Sequence, residues 1–198
     1  MAIELLYQDD KTGGDARVRG SDNRLNSSSR SDSRGYYNSR DAGQAYSVVF
    51  DFQSAANTEY GAYWQNQHPD GLQLVISAIG VNAAQNARIK LHYVTGTAAG
   101  GTSVTPVNEN RTSPNVAAAS SIVTAMEGAS ATTGITGLTS IGVQDFVAVL
   151  ADGHEEFRLD DRVRLGVGDA IALQYFEGAA GGDFFGVIFG YYESKGRA

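Results

Sequence analysis

The sequence predicts an all-β protein, an antiparallel β-sandwich of the jelly-roll kind with an extended, irregular N-terminal arm. Three observations predict it. Nine short β-like runs follow one another from Tyr46 onward, turn residues separate the runs, and no helical periodicity lasts for more than two turns. The 198 residues are enough for one core of ordinary size. We therefore expect an arm at 1–45 and a sandwich domain at 46–198.

The arm is polar and electrically balanced. Its 45 residues hold seven basic and seven acidic side chains, so the net charge of −7 falls on the rest of the chain. From residue 12 to residue 45, Gly, Ser, Asn, Asp and Arg predominate. Such a stretch cannot bury enough apolar surface to offset the entropy of ordering it. We expect no autonomous secondary structure there.

Arginine and tyrosine side chains give the arm its potential for binding. Guanidinium forks and tyrosine rings are groups that anchor interfaces, so we expect an extended strip laid on another protein. A solvated flexible tail is the plain alternative. The apolar patch at 2–7 could dock into a groove or add a strand to a neighbouring sheet. The residues predicted to bind the partner are Leu5, Leu6, Tyr7, Arg17, Arg19, Arg24, Arg30, Arg34, Tyr36, Tyr37 and Arg40.

The nine runs of the domain are rich in β-branched and aromatic residues. Eight or nine antiparallel strands in about 150 residues fit a jelly roll better than a seven-stranded immunoglobulin-like sandwich. The fifth run also reads as a short helix, and we favour a strand there. The predicted strands are 46–52, 59–66, 72–81, 87–94, 120–127, 145–150, 157–159, 169–176 and 184–192.

The alternation of apolar and polar residues within the runs predicts which side chains share a face of the sheet. In the fourth run, Ile89, Leu91 and Tyr93 share one side, and Arg88, Lys90 and His92 share the other, which we expect to face water. The eighth run places Ile171, Leu173 and Tyr175 on one face and a mixed set on the other, as expected for a partly covered face. Gly-containing pairs such as Asp152-Gly153 stand at the joints, where a positive φ is needed.

No residue pattern in the chain points to catalysis. Cysteine is absent, and His68, His92 and His154 lack the paired spacing of a zinc site, so we expect surface histidines. Nucleophile-elbow and phosphate-loop motifs are missing. The acidic run 152–161 is interpreted as a solvated hairpin whose charges pair with Arg158, Arg162 and Arg164. We predict no enzymatic activity, no metal and no cofactor.

Two partner classes are also excluded at this stage. An acidic domain repels phosphate, which argues against nucleic acid. The chain has no run of eighteen apolar residues and no secretory leader pattern, so we expect no membrane partner and synthesis in the cytoplasm. Trp64 with Tyr60 and Tyr63 suits a sugar-stacking platform, although aromatic strand residues more often belong to the core.

Three stretches carry a resemblance to a known family. GGTSVTPVNENRTSPNVAAASSIV, LGVGDAIALQYFEG and FFGVIFGYYE resemble small β proteins encoded with the head genes of tailed bacteriophages, the capsid decoration or cement proteins. The resemblance implies a jelly-roll homotrimer on threefold axes of the shell, with the arm tying capsomers together. It also implies an ordered loop around Asn108, Asn110 and Arg111, without chemistry.

The expected function is therefore structural. The resemblance implies a virion protein, made in the cytoplasm of a bacterial host, that binds the major capsid protein on the capsid surface and stabilises contacts between capsomers. Three alternatives stay open. They are a receptor-binding or glycan-binding trimer of a tail fibre or spike, an enzyme of the double-stranded β-helix kind, and a signalling trimer of the tumour-necrosis-factor type.

Overall fold

The computed structural model of the chain describes residues 6–8, 15–17, 43–53, 59–117, 119–123, 134–178 and 182–194. Within these residues all regular structure is β-strand, and none of them forms a helix that could cross a membrane. The predicted all-β class is confirmed. The chain divides into two units, Met1–Asp32 and Ser33–Ala198.

The first unit contains a short antiparallel hairpin. Strand β1 (Leu6–Gln8) pairs with β2 (Asp15–Arg17), so that Leu6 lies opposite Arg17. Strand β2 falls in the stretch for which we expected no secondary structure, and that expectation is wrong at these three residues. Pairing satisfies backbone hydrogen-bonding groups whatever the side chains are, so a polar composition does not prevent it.

The second unit is built from two antiparallel sheets. The six-stranded sheet has the order β10-β6-β12-β4-β9-β7, and the five-stranded sheet has the order β11-β5-β13-β3-β8. The strands in chain order are β3 (Ala45–Gln53), β4 (Tyr60–Asn66), β5 (Gln73–Ala83), β6 (Ala87–Ala99), β7 (Thr102–Ser103), β8 (Val107–Asn108), β9 (Ala119–Val123), β10 (Thr136–Val149), β11 (Gly153–Leu165), β12 (Ala170–Gly178) and β13 (Asp183–Glu193).

The pairing of the eight longest strands is nested. The first pairs with the last (β3 with β13), the second with the seventh (β4 with β12), the third with the sixth (β5 with β11), and the fourth with the fifth (β6 with β10). This is a long hairpin rolled up on itself, which is the topology of a jelly roll. The pairs β13–β5 and β12–β6 complete the two sheets.

An aromatic cluster fills part of the space between the sheets. The ring of Phe184 lies 5.3 Å from Phe52, 5.6 Å from Phe50 and 5.7 Å from Tyr175, measured between centroids. All four side chains are buried. Gly61 leaves room for them, because a Cβ at that position would lie 2.3 Å from Cζ of Phe184.

Every predicted run overlaps a strand within the residues that the structure describes. Two strands are much longer than predicted: β10 begins at Thr136 instead of 145, and β11 covers Gly153–Leu165 instead of 157–159. The fifth run is a strand over 120–123, and its remaining residues lie outside the described ranges. The mixed face of β12 is confirmed, since Ala170 and Ala172 are buried and Gln174 is only partly exposed.

The interpretation of 152–161 as a hairpin is wrong. Strand β10 pairs with β6 and strand β11 with β5, so the chain crosses from one sheet to the other at the turn where Asp152 has a φ of 57°. At the other end of the run, Asp160 and Asp161 both have positive φ, where the β11 register shifts. The acidic side chains are therefore spread along one edge strand. Arg164 pairs with Glu193 of β13.

Candidate functional site

Eight of the eleven residues predicted to bind a partner lie outside the described ranges. Leu6 and Tyr7 belong to β1 and Arg17 to β2, and the ladder places Leu6 opposite Arg17. Leu5, Arg19, Arg24, Arg30, Arg34, Tyr36, Tyr37 and Arg40 are not among the described residues. Their binding role stays a prediction.

A polar clasp fixes the chain where it enters the sandwich. The carbonyl oxygen of Gly43 accepts hydrogen bonds from Asn108 Nδ2 at 2.9 Å, Asn115 Nδ2 at 3.2 Å and Ser113 Oγ at 3.3 Å. Gly43 has a φ of 60°, and a Cβ there would lie 2.3 Å from Ser113 Oγ. Only glycine fits this position without strain. The clasp therefore holds residue 43 against the loop 108–115.

The loop of the clasp is itself hydrogen-bonded. Asn108 Oδ1 accepts from the Asn110 backbone N–H at 2.8 Å, and Asn110 Oδ1 accepts from Thr112 N–H at 3.1 Å and Thr112 Oγ at 2.8 Å. These are side-chain turns in which asparagine replaces a backbone acceptor. The loop around Asn108, Asn110 and Arg111 is thus held by hydrogen bonds among its own residues.

One exposed apolar surface lies on β10, the outermost strand of the six-stranded sheet. Phe146 is 58% exposed, and Val143 is also more than half exposed. Phe146 lies opposite Lys90 of β6, and the neighbouring outward-facing residue of β6 is Arg88. Lys90 Nζ stands 3.3 Å from the ring centroid of Phe176 on β12. We call Val143, Phe146, Phe176, Arg88 and Lys90 the β10 patch.

A second exposed apolar surface lies on the outer face of the five-stranded sheet. Val187 lies opposite Val49 on one side and Gly80 on the other, and Gly80 lies opposite Glu156. Phe185 stands on the same face, two residues from Val187, and is 47% exposed. We call Val49, Gly80, Glu156, Phe185 and Val187 the β13 patch.

His92 is buried, contrary to the expectation that it faces water. Its side chain is only 5% exposed, its Nδ1 lies 2.7 Å from Ser140 Oγ, and its ring meets Tyr60 edge-on at 5.6 Å. Burial lowers the pKa of His92, a hydrogen bond to Gln174 raises it, and the charge of Lys90 lowers it again, with a net decrease. Alternation identified the side on which His92 lies but not that this part of the face is covered.

The lowered pKa of His92 predicts a loss of stability in mild acid. The unfolded chain takes up a proton near pH 6.5 while the folded chain resists it, so stability contributed by neutral His92 is present above about pH 6.5 and falls as the pH drops below it. We expect the free energy of unfolding to decline less between pH 7 and pH 5 in His92→Gln than in the wild type. Urea denaturation at several pH values measures this. The exposed His154→Gln is the control, and equal slopes for wild type and His92→Gln would contradict the prediction.

Trp64 belongs to the core. Its side chain is fully buried, and Tyr63 beside it is 3% exposed. The interpretation of Trp64 as part of a sugar-stacking platform is therefore wrong, and the more usual core position is confirmed.

Among the described residues, no three His, Asp or Glu side chains are grouped as metal ligands.

The fold and its surfaces define this chain as a jelly-roll protein with two exposed apolar patches and a clasped N-terminal segment. Comparison with protein-family models, with curated proteins and with solved structures found no match.

Proposed function

We propose that this chain is a structural virion protein that binds the outside of a bacteriophage capsid as a decoration, or cement, trimer. The observation that carries the proposal is the clasp at Gly43. Three side chains fix the point at which the polar arm leaves the sandwich, so a load on the arm is transferred to the sheet through β3. A tether between capsomers needs such a fixed attachment.

The mechanism follows from linkage. A protein that contacts several capsomers at once binds the closed lattice more tightly than separated capsomers, and this difference in affinity stabilises the lattice. A trimer also has three arms. After one arm binds, the others bind at a high effective concentration, so each single contact can be weak.

The charge distribution fits an outward-facing domain. The arm is electrically neutral, and the chain carries a net charge of −7, so the sandwich holds all of the excess negative charge. Like-charged particles repel one another, which keeps them dispersed. The glycan-binding alternative loses its best candidate site, because Trp64 is inside the core.

Deletion of residues 1–42 tests the proposal. The cut leaves Gly43, its clasp and β3 in place, so we expect a folded protein with an unchanged melting temperature. We expect it to lose binding to empty heads of the phage that encodes it, measured by co-sedimentation. The control is the full chain with Tyr36→Phe and Tyr37→Phe, which keeps the rings and the arginines and should still bind.

Two outcomes would contradict the proposal in different ways. If the truncated chain binds as well as the full chain, the arm is not the tether. If the full chain does not bind the heads at all, the protein is not a decoration protein of that capsid.

A further inference from the structure

We propose that copies of this chain associate head to tail, with the β10 patch of one copy packed on the β13 patch of the next. The inference deepens the proposed function and rests on it only for the number of copies, three. It assigns the surfaces of self-association, which the resemblance does not specify.

The β10 patch is apolar and basic. Phe146, Lys90 and Gln174 form one row across β10, β6 and β12, and Ala148, Arg88 and Phe176 form the next. Arg88 and Lys90 are the only Lys or Arg residues in the described strands of the six-stranded sheet. The patch thus combines the exposed ring of Phe146 and the partly exposed ring of Phe176 with two cations, in a chain that is acidic as a whole.

The β13 patch is apolar and acidic. Glu156, Gly80, Val187 and Val49 form one row across four strands, and Phe185 lies opposite Asp51 in the next. Gly80 has no side chain, and the ring of His154 covers it, with His154 Cε1 3.3 Å from the position that a Cβ of Gly80 would take. Val49 and Phe185 are each about half exposed.

The two patches complement each other in charge. If the β10 patch packed on a copy of itself, Lys90 and Arg88 would be brought against the same cations, which is unfavourable. Packing on the β13 patch places them near Glu156 and Asp51 instead. An interface between two different surfaces of one chain is heterologous, and it closes into a ring when the rotation allows. A three-membered ring has this kind of interface.

The edge of β10 is not suited to strand addition. Its pairing with β6 contains three register shifts, and glycines occupy 137 and 142. Irregular edges of this kind resist pairing with another strand. We therefore place the contact on the outward-facing side chains of β10 and β6, not on the free backbone edge.

Sedimentation analysis of the full chain tests the inference. We expect the wild type to have three times the chain mass of 20.9 kDa, and both Phe146→Glu and Phe185→Glu to sediment as monomers. Both side chains are about half exposed, so both variants should keep the wild-type circular dichroism spectrum; Val143→Glu is a second variant of the β10 patch. The control is Val116→Glu, at an 81% exposed position outside both patches, which should remain trimeric.

Mixing the two variants identifies the type of interface. Phe146→Glu retains an intact β13 patch and Phe185→Glu an intact β10 patch, so each mixed pair has one good junction and cannot close a ring. We expect the average mass to rise above that of either variant alone and to stop at two chains. If Phe185→Glu stays trimeric by itself, or if mixing changes nothing, head-to-tail packing is wrong.

Charge reversal gives an independent measure. Lys90→Glu and Glu156→Lys should each weaken assembly, and the double variant should recover it, because every junction in the ring then has the reversed pair. A double variant no better assembled than the single ones would overturn the pairing of these patches.

A wild-type monomer would overturn the inference. Loss of the trimer in the patch variants, without head binding by the wild type, would instead retain the inference and reject the proposed function.

Discussion

Replacing Asn66 by aspartate is expected to destabilise the sandwich by about 3 kcal/mol or more at neutral pH, because buried carbonyl groups lose their donors. Asn66 is fully buried at the end of β4. Its Nδ2 donates to the carbonyl oxygens of Leu72 and Leu165, both at 2.8 Å, and its Oδ1 accepts from the His68 N–H at 2.9 Å. Because Leu165 ends β11, this amide links a strand of one sheet to a strand of the other.

A carboxylate cannot replace that amide. One of its oxygens would face two carbonyl oxygens with no proton between them, while the negative charge is held away from water. The pKa of an aspartate at 66 should therefore lie above its unfolded value of about 3.9. The sign follows from linkage: the loss of stability is full at high pH and shrinks as the pH falls through the raised pKa.

Denaturation by urea from pH 7 to pH 4 measures both effects. The matched control is Asn86→Asp, since Asn86 is exposed and its Oδ1 accepts a hydrogen bond from the Ala151 N–H at 2.9 Å. A carboxylate keeps that bond, so the control should lie within about 0.5 kcal/mol of the wild type. An Asn66→Asp variant as stable as the control would show that the two carbonyl groups find other donors.

Replacing Phe184 by alanine is the second change with a large expected effect. The ring is fully buried and contacts Phe50, Phe52 and Tyr175, so its removal leaves a cavity between the sheets. Large-to-small changes of this kind cost about 3–5 kcal/mol. The control is Leu150→Ala, which removes a large apolar side chain that is already exposed to water.

A double variant sharpens this prediction. In the wild type, Gly61→Ala forces a Cβ to within 2.3 Å of Phe184 and should be destabilising. In the Phe184→Ala background the two contacts with the Phe184 ring are gone, and only Phe52 Cδ1, 2.6 Å from the new Cβ, has to shift toward the cavity. We expect the double variant to be more stable than the sum of the two single effects predicts, as is usual for residues in contact. Additive free energies of unfolding would argue that the core repacks around each change independently.

The strands whose bounds the sequence predicted best are those with a continuous run of apolar residues at their centre. Strands β3, β12 and β13 are of this kind, and each lies between two neighbouring strands of its sheet with its inward-facing side chains buried in the core. The strands that were too short in prediction lie at the edges. In β11 the charged residues and the two aspartates with positive φ interrupt the alternation of apolar and polar residues. In β10 the Gly and Thr residues make that alternation harder to recognise.

The surfaces were harder to predict than the strands. Alternation placed Lys90 on an outward face without showing that β10 lies beside β6 as an outermost strand, because strand order depends on pairings far apart in the sequence. His92 was misassigned for the same reason, since its burial depends on Tyr60 and Ser140, which lie on other strands. The Asn-rich loop of the clasp can be recognised in the sequence. The acceptor of its hydrogen bonds, the carbonyl oxygen of Gly43, lies 65 residues away from Asn108 and could not be identified from the loop alone.

The nested pairing of first and last strands has a practical consequence for engineering. Gln44 accepts a hydrogen bond from the Tyr192 N–H at 3.0 Å, so foreign peptide fused after β13 would emerge beside the root of the arm and crowd it. The exposed turn at 84–86 lies at the opposite end of β13, and at about 3.3 Å per residue that eleven-residue strand separates the two points by roughly 35 Å. For antigen display, that turn is the insertion point that leaves residue 43 and its clasp unobstructed.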